Sequence, residues 1–288
     1  MRDFSGGTEW LSINTATVRQ QWTLPQIIEG CARHNIPAIS PWRDQVEACG
    51  LKVARRLIRE NGLKLSGYCR GGMFPAVDAP RIARALEDNY RAVDEACELG
   101  SPCLVLVVGG LPGALEGNAA NRDLALARSQ VADGIARLLD YARPLKMPLA
   151  IEPLHPMFAA DRACVNTLEH ALDLCDALNP VGDGALGVAV DVYHVWWDPK
   201  LEAQIRRAGA RRLLAFHVCD WLTPTTDLLL DRGMMGDGVI DIMKIRGWVE
   251  ANGYTGLSEV EIFSAKNWWR RPGDEVLATC ITRHRSVV

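Results

Sequence analysis

The stretch GVAVDVYHVWWDP, residues 187–199, decides the fold prediction. A short apolar run ends at Asp191, and Tyr193, His194 and two adjacent tryptophans follow it before the helical-looking segment KLEAQIRRAG. Apolar strands that alternate with helices are typical of parallel sheets whose faces are covered by those helices. This stretch therefore predicts a buried parallel strand whose carboxyl end carries an acid and a histidine.

The same strand and helix unit repeats along the whole chain. Eight apolar runs lie at 10–18, 36–42, 63–69, 103–110, 148–155, 186–194, 213–220 and 257–264. Longer segments of helical period, of which 45–62 is one, lie between them. Eight such units in 288 residues match a closed (β/α)8 TIM barrel. An open doubly wound sheet usually has a Gly-rich phosphate loop after its first strand, and NTATVRQQW is not one. We predict one α/β barrel domain over residues 1–288.

Composition narrows the class of protein. The net charge is −3 and no run is rich in lysine and arginine, so we expect no nucleic-acid partner. No apolar run approaches the length of a membrane span, and the first ten residues lack the apolar core of a secretory signal. The nine cysteines form no Cys-x-x-Cys pair, which favours reduced thiols. These features predict a cytoplasmic protein without a membrane partner.

Candidate ligands gather at the carboxyl ends of the predicted strands, where catalytic groups of this barrel type stand. The fifth to eighth strands supply, one from each, Glu152, Asp191, His217 and Glu261. Carboxylates in apolar surroundings need a partner because desolvation is costly, and one divalent cation can satisfy several of them. Three carboxylates and one imidazole form a mostly oxygen site. We therefore predict one divalent metal ion, Mn²⁺, with Mg²⁺, Co²⁺ and Zn²⁺ as alternatives.

Five motifs lie in a characteristic order. They are IEPL (151–154), DVYH (191–194), FHVCD (216–220), MGDGVID (235–241) and GYTGLSEVEIF (253–263). Over nearly its whole length the chain resembles the xylose isomerase-like barrel superfamily, in the sugar isomerase/epimerase branch related to endonuclease IV. The resemblance implies that the four residues above bind one divalent metal. It also implies that Glu152 and Glu261 form the acid/base pair and that His194 helps to hold the substrate.

One departure from the DNA-repair relatives is informative. Those relatives hold three metals with additional histidines on early strands and in the loop after the seventh strand. This chain has no histidine between His34 and His155, and Gly233 stands where the loop histidine would fall. A three-metal phosphodiesterase site cannot be built from these residues, which favours the one-metal sugar branch.

The resemblance implies an isomerase or epimerase for a ketose or sugar-like keto-polyol. Glu152 and Glu261 would transfer a proton through a metal-bound enediolate. If the enediolate instead expels a β-hydroxyl, the same site becomes a dehydratase or lyase for a keto-polyol or cyclic keto acid. A non-catalytic sugar-binding barrel subunit is the third alternative, although a pure binder need not keep both glutamates. The absence of a Gly-rich phosphate loop near the last strands favours a non-phosphorylated substrate.

Further side chains near strand ends are candidates for substrate contacts. His155 could orient or protonate a substrate oxygen or simply bond to backbone, and Arg70 and Arg232 could meet an anionic group or remain solvated. Trp42 and Trp197 could pack against a sugar ring or plug the barrel mouth. The segment 220–239 is predicted to be an active-site loop, in which Met234 and Met235 form a lid or pack in the core. Two pairs of adjacent tryptophans, at 196–197 and 268–269, favour a homo-oligomer, either a dimer or a tetramer.

Overall fold

The computed structural model describes residues 2–117 and 121–288. Residue 1 and residues 118–120 belong to the predicted domain range and lie outside the described residues. A single sheet of nine parallel strands forms the centre of the molecule. The strands are β1 (Leu11–Asn14), β2 (Ala38–Ser40), β3 (Lys64–Leu65), β4 (Tyr68–Gly72), β5 (Leu104–Val107), β6 (Leu149–Ile151), β7 (Leu186–Asp191), β8 (Leu213–Val218) and β11 (Ser258–Val260). A small antiparallel pair, β9 (Asp220–Trp221) and β10 (Arg232–Gly233), lies in the loop after β8.

The third predicted strand closes the barrel in two pieces. The neighbour order is β3-β2-β1-β11-β8-β7-β6-β5-β4, so β3 and β4 stand at opposite ends of the sheet. They are consecutive along the chain, separated only by residues 66–67. A parallel bridge between Trp42 and Cys69 also connects the end of β2 to β4. All eight predicted strand positions of the barrel are therefore present, the third as the pair β3 and β4, and the predicted TIM barrel is confirmed.

Helices follow the strands and cover the outside of the barrel. They are α1 (Leu24–Arg33), α2 (Arg43–Cys49), α3 (Leu51–Glu60), α4 (Ala79–Leu99), α5 (Leu124–Ala142), α6 (Leu168–Leu178), α7 (Val192–Val195), α8 (Leu201–Arg212), α9 (Ile242–Ala251) and α10 (Gly273–Val287). Thr23 begins α1 with a capping box that it shares with Gln26, which satisfies backbone N–H groups of the first turn. The segment 45–62 contains two helices instead of one, because Gly50 has φ of 88° and interrupts the helical path. Among the described residues, no helix has both the length and the apolar character needed to cross a membrane.

The inside of the barrel is built in layers. Side chains two residues apart on a strand point to the same face, so alternate residues fill successive layers of the interior. Ala150, Ala189 and Ala215 are buried in one small cluster of the interior. The residues two positions later on the same strands are Glu152, Asp191 and His217, and Glu261 likewise follows the buried Glu259 by two positions. The alternation therefore places these four side chains on the inner face of the barrel.

Candidate metal centre

The four predicted ligands meet at the carboxyl end of the barrel. Glu152 and Glu261 come directly after β6 and β11, Asp191 ends β7, and His217 is the fifth residue of β8. One ligand atom from each lies within 4.8 Å of all the others, and all four residues are buried. Equivalent positions on neighbouring strands therefore bring together the set that the sequence predicted.

Two atoms of this cluster approach each other to ion-pair distance. Oε1 of Glu152 and Nδ1 of His217 are 2.8 Å apart. Neither atom has a well-aligned hydrogen-bond partner among the described residues, and Nε2 of His217 also lacks one. Buried polar atoms are rarely left unpaired, since each one costs free energy of desolvation. The donor set and its orphaned atoms fit a divalent cation.

Comparison with known proteins agrees with this fold and these motifs. Residues 28–279 match the family described as the xylose isomerase-like TIM barrel. This chain belongs to that family. The crystal structure of protein SMc04130 from Sinorhizobium meliloti 1021 is 58% identical in sequence, with a TM-score of 0.92 over 97% of this chain and 98% of that chain. No curated protein is significantly similar in sequence.

More distant structures share the fold of this xylose isomerase-like barrel. The IOLI protein, solved with a zinc atom bound, is 18% identical with a TM-score of 0.80, over 96% of this chain and 97% of that chain. A D-allulose 3-epimerase from Methylomonas sp. is 17% identical with a TM-score of 0.75, again over 96% and 97% of the two chains. The structural neighbours of this family member therefore include sugar epimerases and a zinc-containing barrel.

Arg232 neutralises part of the cluster in this barrel. It is buried, and its Nη1 donates to Oδ2 of Asp191 and to Oε2 of Glu261, both at 3.0 Å. Its guanidinium also lies over the ring of Tyr193, 4.4 Å from the centroid. Burial alone would raise the pKa of Asp191, but Arg232 and the two nearby histidines outweigh it and hold that pKa below its usual range.

Glu261 behaves differently from Asp191 although it contacts the same arginine. Burial, together with repulsion from Glu152, outweighs Arg232 and raises the pKa of Glu261 to about 8. His217 is surrounded by carboxylates. Burial lowers its pKa, but Glu259, Glu152 and Glu261 outweigh burial and raise that pKa well above the usual range. In the protein without a cation, the cluster therefore holds protons at neutral pH.

His194 connects the cluster to the loop after β6 and to Arg232. Its Nδ1 lies 3.1 Å from the backbone N of His155. Nε2 lies 3.5 Å from Oδ2 of Asp191 and 3.1 Å from Nη2 of Arg232. Burial lowers the pKa of His194 to about 3, so the ring is neutral. Since a guanidinium can only donate hydrogen bonds, the contact at Nε2 helps to hold Arg232 at the cluster.

A cavity of about 140 Å³ opens above the cluster. Of the residues that the sequence singled out, its lining includes Trp42, Arg70, Glu152, His194, Arg232 and Glu261. His155 and Trp197 are not in the lining. The ring of His155 instead stacks on Trp221 at 4.7 Å and meets the edge of Trp197 at 5.9 Å, so both lie behind the cavity wall.

Several residues of the site were not among the sequence predictions. Phe263 lines the cavity and packs against Trp42 with ring centroids 5.5 Å apart. It lies two residues after Glu261, so the alternation of a strand could have indicated it. Phe158 and Arg162 also line the cavity. They lie in the loop after β6, and no periodic pattern marks them there.

The loop after β8 is held in place by Asp220. Its carboxylate accepts hydrogen bonds from the backbone N–H groups of Gly236 at 2.9 Å and Ile240 at 3.0 Å. Met234 and Met235 are fully buried, so they pack in the core and the lid alternative is wrong. This loop carries Arg232 into the cluster, which explains why a residue distant from any main strand reaches the site.

Proposed function

We propose that this protein is a divalent-metal-dependent isomerase or epimerase that acts on a ketose or a sugar-like keto-polyol. The observation that carries the proposal is which members of the cluster reach the cavity. Glu152 and Glu261 line the cavity, whereas Asp191 and His217 belong to the same cluster but are not part of the lining. Two glutamates that face a small molecule from different strands are suited to exchange protons with it.

Glu152, Asp191, His217 and Glu261 would hold the ion, for which Mn²⁺ is the proposed metal and Mg²⁺, Co²⁺ and Zn²⁺ are the alternatives. When bound, such an ion supplies Lewis acidity to the carbonyl and hydroxyl oxygens of the substrate. The bound zinc in the IOLI structure and the D-allulose 3-epimerase among the neighbours support this choice.

The proton transfer is assigned to the two glutamates. They follow β6 and β11, which are separated in the barrel by β7 and β8, so they approach a bound molecule from two sides. One glutamate removes the proton from the carbon next to the carbonyl, and the substrate becomes an enediolate. The other returns a proton to the opposite face of the same carbon, which gives epimerisation. Isomerisation results when the proton goes to the neighbouring carbonyl carbon and the hydroxyl proton moves to the former carbonyl oxygen. The raised pKa of Glu261 suits it to deliver a proton near neutral pH.

The remaining wall residues would orient the substrate. Arg232 donates to a substrate oxygen while it keeps its contact with Asp191, and His194 lines the cavity beside it and contacts the substrate. Trp42 and Phe263 present aromatic surface that excludes water from the reacting carbon. We propose a supporting role for His155 and Trp197, which hold Trp221 and the backbone around His194 in place.

The decisive experiment follows deuterium. The Mn²⁺-loaded protein is incubated in D₂O with a panel of ketoses that includes neutral ketoses, ketose phosphates and keto sugar acids, and the products are observed by NMR. We expect deuterium at the carbon next to the carbonyl and the appearance of an isomer or epimer. Absence of exchange from every ketose, with one bound ion per chain verified, contradicts the proposal. Loss of water with formation of an enone or diketone supports the dehydratase or lyase alternative instead.

We also propose one barrel domain over residues 1–288 and assembly into a dimer or tetramer. The tryptophan pairs that suggested assembly are less exposed than the sequence implied. Trp268 is buried, and Trp196, Trp197 and Trp269 are half-buried. Light scattering of the purified protein measures the assembly directly, and a molar mass of one chain contradicts it.

A further inference from the structure

Two arginines on the cavity wall have no strong carboxylate partner. Arg70 lies in β4 and lines the cavity, and its side chain forms no ion pair or hydrogen bond with any residue that the structure describes. Arg162 lines the same cavity, and its Nε lies 3.9 Å from a carboxylate oxygen of its chain neighbour Asp161. That distance exceeds a hydrogen bond, so the positive charges of both arginines are poorly compensated.

Two other arginines near the cavity, unlike Arg70 and Arg162, are paired with carboxylates. Arg43 donates to Asp88 and Glu95, and Arg232 donates to Asp191 and Glu261. In contrast, Arg70 is half-buried next to another cation. Burial and the nearby charge of Arg162 lower the pKa of Arg70. An uncompensated and partly desolvated cation is costly, and such groups in a cleft are typical of ligand sites.

The charges of the metal centre do not require these two arginines. Its carboxylates already have a buried arginine, because Arg232 donates to Asp191 and Glu261. In contrast, Arg70 and Arg162 form no hydrogen bond or ion pair with a carboxylate of the centre in the part of the chain that the structure describes. Their two positive charges therefore remain available on the cavity wall.

We propose that Arg70 and Arg162 bind an anionic group of the substrate, a carboxylate or a phosphate. This inference rests on the proposed function for the position of the reacting keto group at the metal centre. The anionic group then lies on the side of the cavity formed by β4 and the loop after β6. The planar guanidinium is suited to such groups because it donates two parallel hydrogen bonds to carboxylate or phosphate oxygens. Within the proposed class, the substrate is accordingly an acidic member, a keto sugar acid or a ketose phosphate.

Binding of unreactive probes tests the anion site separately from catalysis. D-Gluconate, D-glucitol 6-phosphate and D-glucitol share a six-carbon hydroxylated chain, lack a ketone or aldehyde group and differ in charge at one end. Their affinities are measured by calorimetry with the wild type, R70Q and R162Q, each both metal-free and loaded with Mn²⁺. R59Q is the matched control. Arg59 is exposed on α3, so this substitution removes the same charge at a site away from the cavity.

We expect at least one of the two anions to bind roughly tenfold more tightly than D-glucitol, in the metal-free protein as well. R70Q and R162Q each remove most of that preference, whereas R59Q retains it, and the tighter anion identifies carboxylate or phosphate as the natural group. Melting temperatures show whether R70Q or R162Q has lost folding stability. R70K and R162K provide a second pair of variants, which keep the positive charge but lose the planar guanidinium group. Equal affinities for anion and polyol in the wild type, or an unchanged preference in the folded variants, overturn the proposal. If no ketose exchanges deuterium while the anion preference stands, the proposed function fails and the anion site does not.

Discussion

Glu259 is the register partner of His217 on the neighbouring strand, with its Oε1 3.6 Å from Nε2 of that histidine. The other contacts of the Glu259 carboxylate are strong hydrogen bonds, from Nδ2 of Asn14 and from Oγ of Ser66, both at 2.7 Å. A carboxylate behind a metal-binding histidine commonly fixes the orientation of the ring and increases its basicity. Glu259 is thus placed to aim Nδ1 of His217 at the proposed ion.

The variant Glu259→Gln should weaken Mn²⁺ binding by roughly 10- to 100-fold, because the histidine loses its anionic neighbour. Calorimetric titration of the metal-free protein measures the loss. Glu87→Gln is the control, since Glu87 is an exposed carboxylate on α4. An affinity equal to that of the wild type would show that Glu259 serves packing alone.

Glu152→Gln and Glu261→Gln should each lower the rate of deuterium exchange by roughly 10²- to 10⁴-fold, because each removes a group that transfers a proton. Circular dichroism should show that both variants keep the wild-type fold, since glutamine has nearly the same shape as glutamate. Normal turnover by both variants would sink the acid/base assignment.

The purified protein should bind close to one divalent ion per chain, since the structure brings together one set of four ligands in the described residues. Elemental analysis after dialysis against Mn²⁺ gives the stoichiometry. Asp191→Asn should reduce that uptake because it removes one of the three carboxylates. Failure of the wild type to take up any metal would refute the site.

Metal binding at pH 7 should release protons. The pKa of Glu261 is raised to about 8 and that of His217 well above its usual range, so both groups are largely protonated below these values and must ionise to bind a cation. The affinity for Mn²⁺ should therefore increase as the pH rises toward and through 8. Calorimetry in two buffers of different ionisation enthalpy counts the released protons, and a count of zero at pH 7 contradicts the prediction.

Ala189→Leu should destabilise the barrel by about 1–3 kcal/mol, because the new side chain overfills a packed interior. It should also weaken Mn²⁺ binding, since Ala189 lies two residues before Asp191 on the inner face of β7. Urea denaturation measures the first effect and calorimetry the second. Val181→Leu, at an exposed loop position, is the control and should change neither quantity.

The convergence of the four proposed ligands was predictable from the sequence for a simple geometric reason. A residue at the end of a buried strand has its position fixed by the sheet, and parallel strands of a barrel all end at the same rim. The sequence therefore predicts that Glu152, Asp191 and Glu261 lie close together. Gly50 is a contrasting case, because its helical surroundings gave no indication that it would adopt a positive φ and divide one helix into two.

The loop residues could not be placed in the same way. Arg162 reaches the cavity through a segment without regular period, and its position depends on tertiary contacts. The sequence made Arg232 a candidate for contact with an anionic substrate group. Its buried contacts with Asp191 and Glu261 depend instead on the β9–β10 pair and on the hydrogen bonds that Asp220 accepts from the loop backbone. His155 has the reverse outcome. Its position after IEPL suggested the cavity, and stacking against Trp221 keeps it behind the wall.

The divided third strand has a consequence for how the barrel becomes complete. Since β3 pairs only with β2, and β4 with β5, the two margins of the sheet meet within residues 64–72. A fragment that lacks this segment keeps two open margins with unpaired N–H and C=O groups, which are templates for association with other chains. Residues 64–72 thus close a curved sheet that would otherwise be prone to aggregation into a barrel without open edges. Cleavage of the chain should be tolerated least well within these nine residues.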